Sequence, residues 1–251
     1  MISIKSEHEI NMMREASKIL IETREALRDM IKPGISTRAL DVRAEEVIRS
    51  YGAVPSFKDY EGYPASICAS INHVVIHGIP NDQEKLKEGD IISIDLGVFY
   101  KGYHADSAAT FAVGEISNEK AQLMKVTEEA LFKGIEMAMP GNHVSDISHA
   151  IESYIKPYGY GIVETFTGHG IGRQLHEEPQ VLNYGPKGQG PILRPGMTIC
   201  IEPMVNLGSK NVKVLSDGWT VVTTDKKPSA HAEHMILITQ DGHEIMTKKK
   251  E

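Results

Sequence analysis

The chain repeats itself. Pro33-Gly34 returns as Pro140-Gly141, Tyr51-Gly52 as Tyr158-Gly159, and Leu86-x-x-Gly89-x-x-Ile92-x-Ile94-Asp95 as Leu193-x-x-Gly196-x-x-Ile199-x-Ile201-Glu202, each 107 positions later. One such match is ordinary punctuation, because Pro-Gly often follows a helix. Several in the same order at one offset indicate a structural duplication. Between the markers, Leu40, Ala44, Val47, Ile48 and Tyr51 recur as Ile147, Ile151, Tyr154, Ile155 and Tyr158. That is the i, i+4, i+7, i+8, i+11 stripe of an amphipathic helix, and the glycine that follows suits its C-terminal stop. A further helix precedes each copy. Ser6 and Glu9 have the spacing of a capping box and open a helix with apolar positions Ile10, Met13, Ser17, Leu20, Leu27 and Ile31 that runs to Pro33-Gly34; its counterpart runs from about Asn118 to Met139. Strands end each half, and no Pro/Ser-rich linker divides them. The expectation is one α+β domain, 1–251, with pseudo-twofold halves at about 5–113 and 114–247.

Composition narrows the function classes. With 251 residues, 41% of them hydrophobic and 24% charged, the chain is long enough for a full core and is neither disordered nor fibrous. No apolar run approaches the about 20 residues of a membrane helix, and the N-terminal stretch carries scattered charge rather than a basic start and an apolar block. A cytoplasmic protein without membrane attachment is expected. Cys68 and Cys200, far apart in sequence, fit reduced thiols better than a disulfide framework. The net charge of −7 argues against DNA as a partner, and Lys248-Lys249-Lys250 reads as a solvated tail.

The chemistry-bearing residues are acidic. The run Ile91 to Tyr100, the pair Lys101-Gly102 and the run Tyr103 to Val113 read as a β-hairpin. A two-residue turn sets Asp95 opposite Ala108 and puts Asp106 on the same face, with diagonal neighbours ~7–8 Å apart, close enough to share a cation. Glu202 closes Thr198 to Ile201, and Glu233 opens a run through Ile238, both beside strand-like apolar segments. Like charges converging in a low-dielectric pocket need cations to neutralise them. His169 lies between glycines that allow close approach, while His77 and His176 sit in Gly/Pro-rich turns. Mixed oxygen and imidazole ligation suits Mn, Fe, Co or Zn, whereas an all-oxygen cage would favour Mg or Ca.

These residues carry a resemblance. Ser93-Ile94-Asp95, Tyr103-His104-Ala105-Asp106, Gly168-His169-Gly170-Ile171-Gly172, Ile201-Glu202-Pro203 and Glu233-His234 together resemble the motifs of the methionine aminopeptidases, over about residues 5–247. The resemblance implies the pita-bread fold, in which two αβ halves with antiparallel sheet surround a dinuclear metal site. It implies two divalent ions (Co, Mn, Fe, Ni or Zn), with the positions of Asp106 and Glu233 bridging them, Asp95 chelating one, and His169 and Glu202 completing the other. It further implies that a metal-bridging hydroxide attacks the first peptide carbonyl, Glu202 shuttles the proton, His176 donates to the oxyanion and His77 contacts the leaving side. Residues matching the family's methionine pocket are Tyr60, Tyr63, Cys68, Leu175 and Trp219. Leu175, often Phe in bacterial members, and Phe57, often Cys, are departures that bear on pocket shape.

The implied reaction is removal of the initiator methionine from nascent polypeptides when the second residue is small, by a monomer that associates transiently with the ribosome. A chain beginning Met1-Ile2 would then keep its own Met1. Only 33 positions separate His169 from Glu202, too few for the insertion of type II enzymes, and no Cys/His-rich N-terminal extension is present, so the bacterial type I form is indicated. An Xaa-Pro-directed aminopeptidase or prolidase of the same fold is the alternative, although such relatives normally carry an additional N-terminal domain. A metal-free binding module on this scaffold is the other, and the presence of all five ligand positions argues against it.

Overall fold

Ser6 opens the first helix through reciprocal bonds: its Oγ accepts from the Glu9 amide (3.4 Å), and the Glu9 carboxylate accepts from the Ser6 amide (2.9 Å). In this computed structural model, which describes residues 2–249, the first half comprises α1 (Glu7–Arg28), α2 (Thr37–Ser50), β1 (Val54–Pro55), β2 (Ile67–Ile71), β3 (Val74–Ile76), β4 (Ile91–Tyr100) and β5 (Tyr103–Ala112). The second comprises α3 (Asn118–Glu136), α4 (Val144–Ile155), β6 (Gly161–Ile162), β7 (Gly168–Gly170), β8 (Glu177–Val181), β9 (Thr198–Ile201) and β10 (Met204–Asn206). It continues through β11 (Val212–Val214), β12 (Val221–Thr223), β13 (Ser229–His231), β14 (His234–Ile238) and β15 (His243–Ile245).

The duplication is visible in backbone conformation and hydrogen bonds. Gly34 and Gly141 have φ of +92° and +93°, Gly52 and Gly159 both +70°, Gly89 and Gly196 +85° and +87°. The Gly34 amide bonds the Leu86 carbonyl at 2.8 Å, as Gly141 bonds Leu193 at 2.9 Å, and the bridge between Ser36 and Lys85 recurs between His143 and Ile192. Four helix ends differ from the pattern reading. Helix α1 ends at Arg28, where Asp29 caps it, so Ile31 lies in the following turn. Helix α3 stops at Glu136, before Met139. Tyr51 and Tyr158 lie past the ends of α2 and α4 and are 49% and 39% exposed, because the left-handed glycines after them turn the chain away before that position can face inward.

Every strand pairing is antiparallel. Lys101 (φ +50°) and Gly102 (φ +88°) form the left-handed turn that suits a tight hairpin, and β4 and β5 pair in register from Tyr100 opposite Tyr103 to Ile91 opposite Ala112. Strands β1 and β2 share the other edge of β4. In the second half the corresponding ladder is broken. Strands β9 and β10 are separated by Glu202-Pro203, their partners β14 and β13 by Ala232-Glu233, and Pro203 has no amide to donate at the break. Ile171, Leu175, Cys200, Met235 and Leu237 from the second half pack into the hydrophobic cluster built on α1, α2 and β4, so the halves share a core. No described helix is long and apolar enough to cross a membrane.

Candidate metal centre

Register places the first two carboxylates. Asp95 faces Ala108 and Asp106 faces Gly97, the diagonal arrangement expected from the two-residue turn. A side chain at Gly97 would collide with Ser56 and Phe57, so a glycine is required beside Asp106. The other two carboxylates sit where the second ladder is interrupted, and the Glu233 amide bonds the Ala108 carbonyl at 2.9 Å, tying the two halves together at the site. His169 is on β7, and its Nδ1 bonds the Gly170 carbonyl at 2.8 Å. Nδ1 therefore carries the proton and Nε2 presents its lone pair, 3.5 Å from Glu202 Oε1 and 3.9 Å from Asp106 Oδ2.

The electrostatics are those of a cluster made for cations. Burial first, then repulsion from neighbouring carboxylates, pushes Asp106, Glu202 and Glu233 well above the ordinary carboxylate range, while burial raises Asp95 to about 6. Burial likewise holds His169 neutral, its pKa lowered to about 3. Asp95 Oδ1, Asp106 Oδ1 and Glu233 Oε1 are buried without hydrogen-bond partners. Orphaned carboxylate oxygens of this kind fit a divalent cation as the missing partner. One oxygen or nitrogen atom from each of Asp106, His169 and Glu233 lies within 4.8 Å of the others, and Cys200 Sγ lies within the same distance. Sequence reasoning had treated Cys200 only as a reduced thiol. In the metal-free protein burial first, then the nearby Glu233 carboxylate, raise the Cys200 thiol pKa and keep it protonated.

The thirteen residues singled out from sequence all line one cavity of about 240 Å³: the five above with Phe57, Tyr60, Tyr63, Cys68, His77, Leu175, His176 and Trp219. Opposite the carboxylates its wall is aromatic. Tyr63 meets Trp219 edge-on with centroids 5.2 Å apart, and His77 lies edge-on to Phe166 at 5.7 Å. Tyr60 Oη is 2.9 Å from His176 Nδ1, and the His176 ring stands edge-on to His169 at 4.4 Å. Burial lowers the pKa of His77, to about 4, and of His176, so both are neutral near pH 7. Glu61, Ile76, Phe166 and Thr167 complete the lining and were not singled out. Of these only Thr167 carried a signal, as the residue before Gly168-His169. A larger cavity of about 770 Å³ lies between α1, α3 and the C-terminal segment, but of the clustered carboxylates it reaches only Glu233.

Comparison with known proteins agrees with this geometry. The methionine aminopeptidase 1 of Bacillus subtilis strain 168 is 52% identical over 248 residues, covering 99% of this chain and 100% of that protein. The methionine aminopeptidase of Escherichia coli K12 is 42% identical over 251 residues, covering 100% and 95%. The crystal structure of methionine aminopeptidase from Rickettsia prowazekii superposes with a TM-score of 0.97 at 44% identity, over 99% of this chain and 100% of that one. A prolidase from Pyrococcus furiosus superposes at 0.81 with 26% identity, but this chain spans only 66% of it. These likenesses give the architecture as the pita-bread fold of those enzymes. With the family profile matched over residues 11–240, around a cluster of orphaned carboxylates facing an aromatic cavity, the chain belongs to metallopeptidase family M24.

Proposed function

We propose that the chain is a bacterial-type methionine aminopeptidase that hydrolyses the bond after an N-terminal methionine when the next residue is small. The carrying observation is that one wall of the 240 Å³ cavity is the carboxylate cluster with His169, while the other is apolar and aromatic, from Tyr63, Trp219 and Leu175. A thioether side chain suits the second wall, since sulfur packs favourably at aromatic edges. The whole chain acts as one catalytic unit, since both halves supply the site. Asp95, Asp106, His169, Glu202 and Glu233 would hold two divalent ions, and the mixed oxygen and nitrogen donors suit Mn, Fe, Co, Ni or Zn. Such ions supply Lewis-acid polarisation of the carbonyl and an acidified water near neutral pH.

The chain's own residues do the rest. With Tyr60 donating to Nδ1, the His176 proton sits on Nε2, where it donates to the oxygen of the carbonyl under attack. Glu202 takes the proton of the attacking water and passes it to the leaving amine. His77, neutral at working pH, contacts the leaving side of the peptide. The closed aromatic wall orients the methionine side chain and excludes water behind it. Nascent chains in the cytoplasm, met by a monomer in transient contact with the ribosome, are the substrates this reading implies.

The test is hydrolysis of Met-Ala-Ser against Xaa-Pro peptides by metal-stripped protein after re-addition of each ion. Release of methionine from Met-Ala-Ser, restored by at least one ion, is expected. Preferential cleavage of Xaa-Pro peptides would replace this reading with the prolidase-like one, and failure to bind any divalent ion would leave only a binding role.

A further inference from the structure

His231 is the buried imidazole at this centre that the five-residue set leaves over. It is 1% exposed, it ends β13, and its Nε2 has neither a hydrogen-bond partner nor contact with solvent. A buried polar atom without a partner is uncommon enough in a folded protein to need a reason. Glu202 supplies one, with its Oε2 3.7 Å from His231 Nε2. Pairing brings them together: His231 faces Met204 across the ladder of β13 and β10, and Glu202 lies two residues back along the chain, the position of a diagonal neighbour.

The backbone beneath this imidazole is clamped. The His231 amide donates to Thr110 Oγ1 at 3.0 Å, and the Thr110 hydroxyl donates to the His231 carbonyl at 2.8 Å. With that proton committed, Ser93 Oγ is left as the donor to Thr110 Oγ1 at 2.8 Å. Glu202 thus has an imidazole near each carboxylate oxygen, and the two imidazoles differ in character. His169 offers the lone pair of Nε2 toward Oε1, its proton being held on Nδ1 by the Gly170 carbonyl. Of the two imidazoles, it is His231 that can present an N–H to this carboxylate.

We propose that His231 is a positioning residue for Glu202: its Nε2–H bonds Oε2 and sets the rotation of the carboxylate, so that Oε1 is presented beside His169 for a cation. The inference rests on the metallopeptidase reading and concerns how tightly that cation is held. Partners that orient metal ligands in this way are typically worth about 10–100-fold in metal affinity or activity.

The experiment is calorimetric titration of Mn(II) into metal-stripped protein, for wild type, His231→Leu and His231→Gln, with kcat and KM measured on Met-Ala-Ser. His231→Leu should weaken Mn(II) binding about 10–100-fold and lower kcat while KM stays within about twofold. His231→Gln, which keeps an N–H within reach of Oε2, should recover most of both. Affinity for Mn(II) within about twofold of wild type in the Leu variant, or a Gln variant no better than Leu, overturns the proposal. If His231→Leu does not fold, as judged by circular dichroism of the stripped protein, the more pliant His231→Met takes its place under the same criteria. A Co(II) spectrum of the Gln variant that has lost a nitrogen ligand would make His231 a ligand and likewise overturn its positioning role. Because calorimetry needs no substrate, wild type that binds Mn(II) but spares Met-Ala-Ser sinks the peptidase reading and leaves His231 to be judged on affinity.

Discussion

Replacing Asp106 with Asn should make the metal-stripped protein more stable, although it removes a central ligand. Asp106 and Glu233 bring oxygens within 4.8 Å of one another. Two full charges at that distance repel by about 3.5 kcal/mol at an effective dielectric near 20. Asp95 and Glu202 add to the repulsion felt by Asp106. Partial protonation already relieves some of it, so a net gain of about 1–2 kcal/mol is expected. The raised carboxyl pKa values set the pH dependence. A folded-state pKa above the unfolded one means that stability falls as pH climbs from the ordinary carboxylate range toward the raised values. The advantage of Asp106→Asn should therefore be present near pH 7.5 and fade toward about pH 3, where both states are largely protonated. Urea denaturation across that range measures it, and thermal melts should show about 2–4 °C per kcal/mol for a chain of this size. Adding a divalent ion at about 100 times its Kd should stabilise wild type by about 2.7 kcal/mol and leave the variant unmoved, reversing the order. A stripped variant less stable than wild type at every pH would mean that the protein itself compensates these charges, and the case for cations would lose its physical basis.

Three further outcomes can be checked independently. Lys5 and Glu177 form a 2.7 Å ion pair with side chains 3% and 16% exposed, next to the turn that carries His176; Lys5→Met leaves Glu177 without its cation and should cost about 3 kcal/mol by urea denaturation, with less than 1 kcal/mol contradicting a structural role for the pair. Bonds from the Ser6 amide and hydroxyl, then from Tyr103 and Arg173, hold the Glu9 carboxylate down at about 2 against 4.5, so its stabilisation is complete above the ordinary value and lost as pH falls toward 2; Glu9→Gln should flatten the acid limb of a stability profile over that window, and an unchanged limb would count against the capping account. His176→Ala should lower kcat while metal content, read by elemental analysis, stays near wild type, whereas a matching loss of metal would make His176 a ligand.

The hairpin was legible because a two-residue Lys-Gly turn leaves one register open, and that register alone put Asp95 and Asp106 together. The duplication was legible because left-handed glycines are expensive to replace, so Gly34, Gly52 and Gly89 and their counterparts mark the same turns in both halves. Glu202 and Glu233 stood out beside apolar strands and His169 between glycines, but their convergence, like the pocket residues, came from the family resemblance, since nothing in their spacing predicts that they meet. Helix ends were less legible. Tyr51 and Tyr158 satisfy an apolar period that the backbone abandons just before reaching them. Cys200 and His231 escaped because their roles depend on strand pairings broken by Pro203, and periodicity cannot be carried across such a break. Phe166 reaches the cavity from an irregular segment with no pattern to read.

The interrupted ladder of the second half has a consequence for reach. The unbroken hairpin holds its two acids on the short side chain of aspartate, whereas the parted strands hold theirs on glutamate, one methylene longer. The two jaws of this clamp share a frame but not an arm length, and the longer arms come from where the frame has opened. Exchanging Asp95 for Glu, or Glu202 for Asp, would conserve charge and still misplace it by a bond length. The duplicated scaffold therefore meets its centre with arms of two lengths, two aspartates from the closed hairpin and two glutamates from the parted strands.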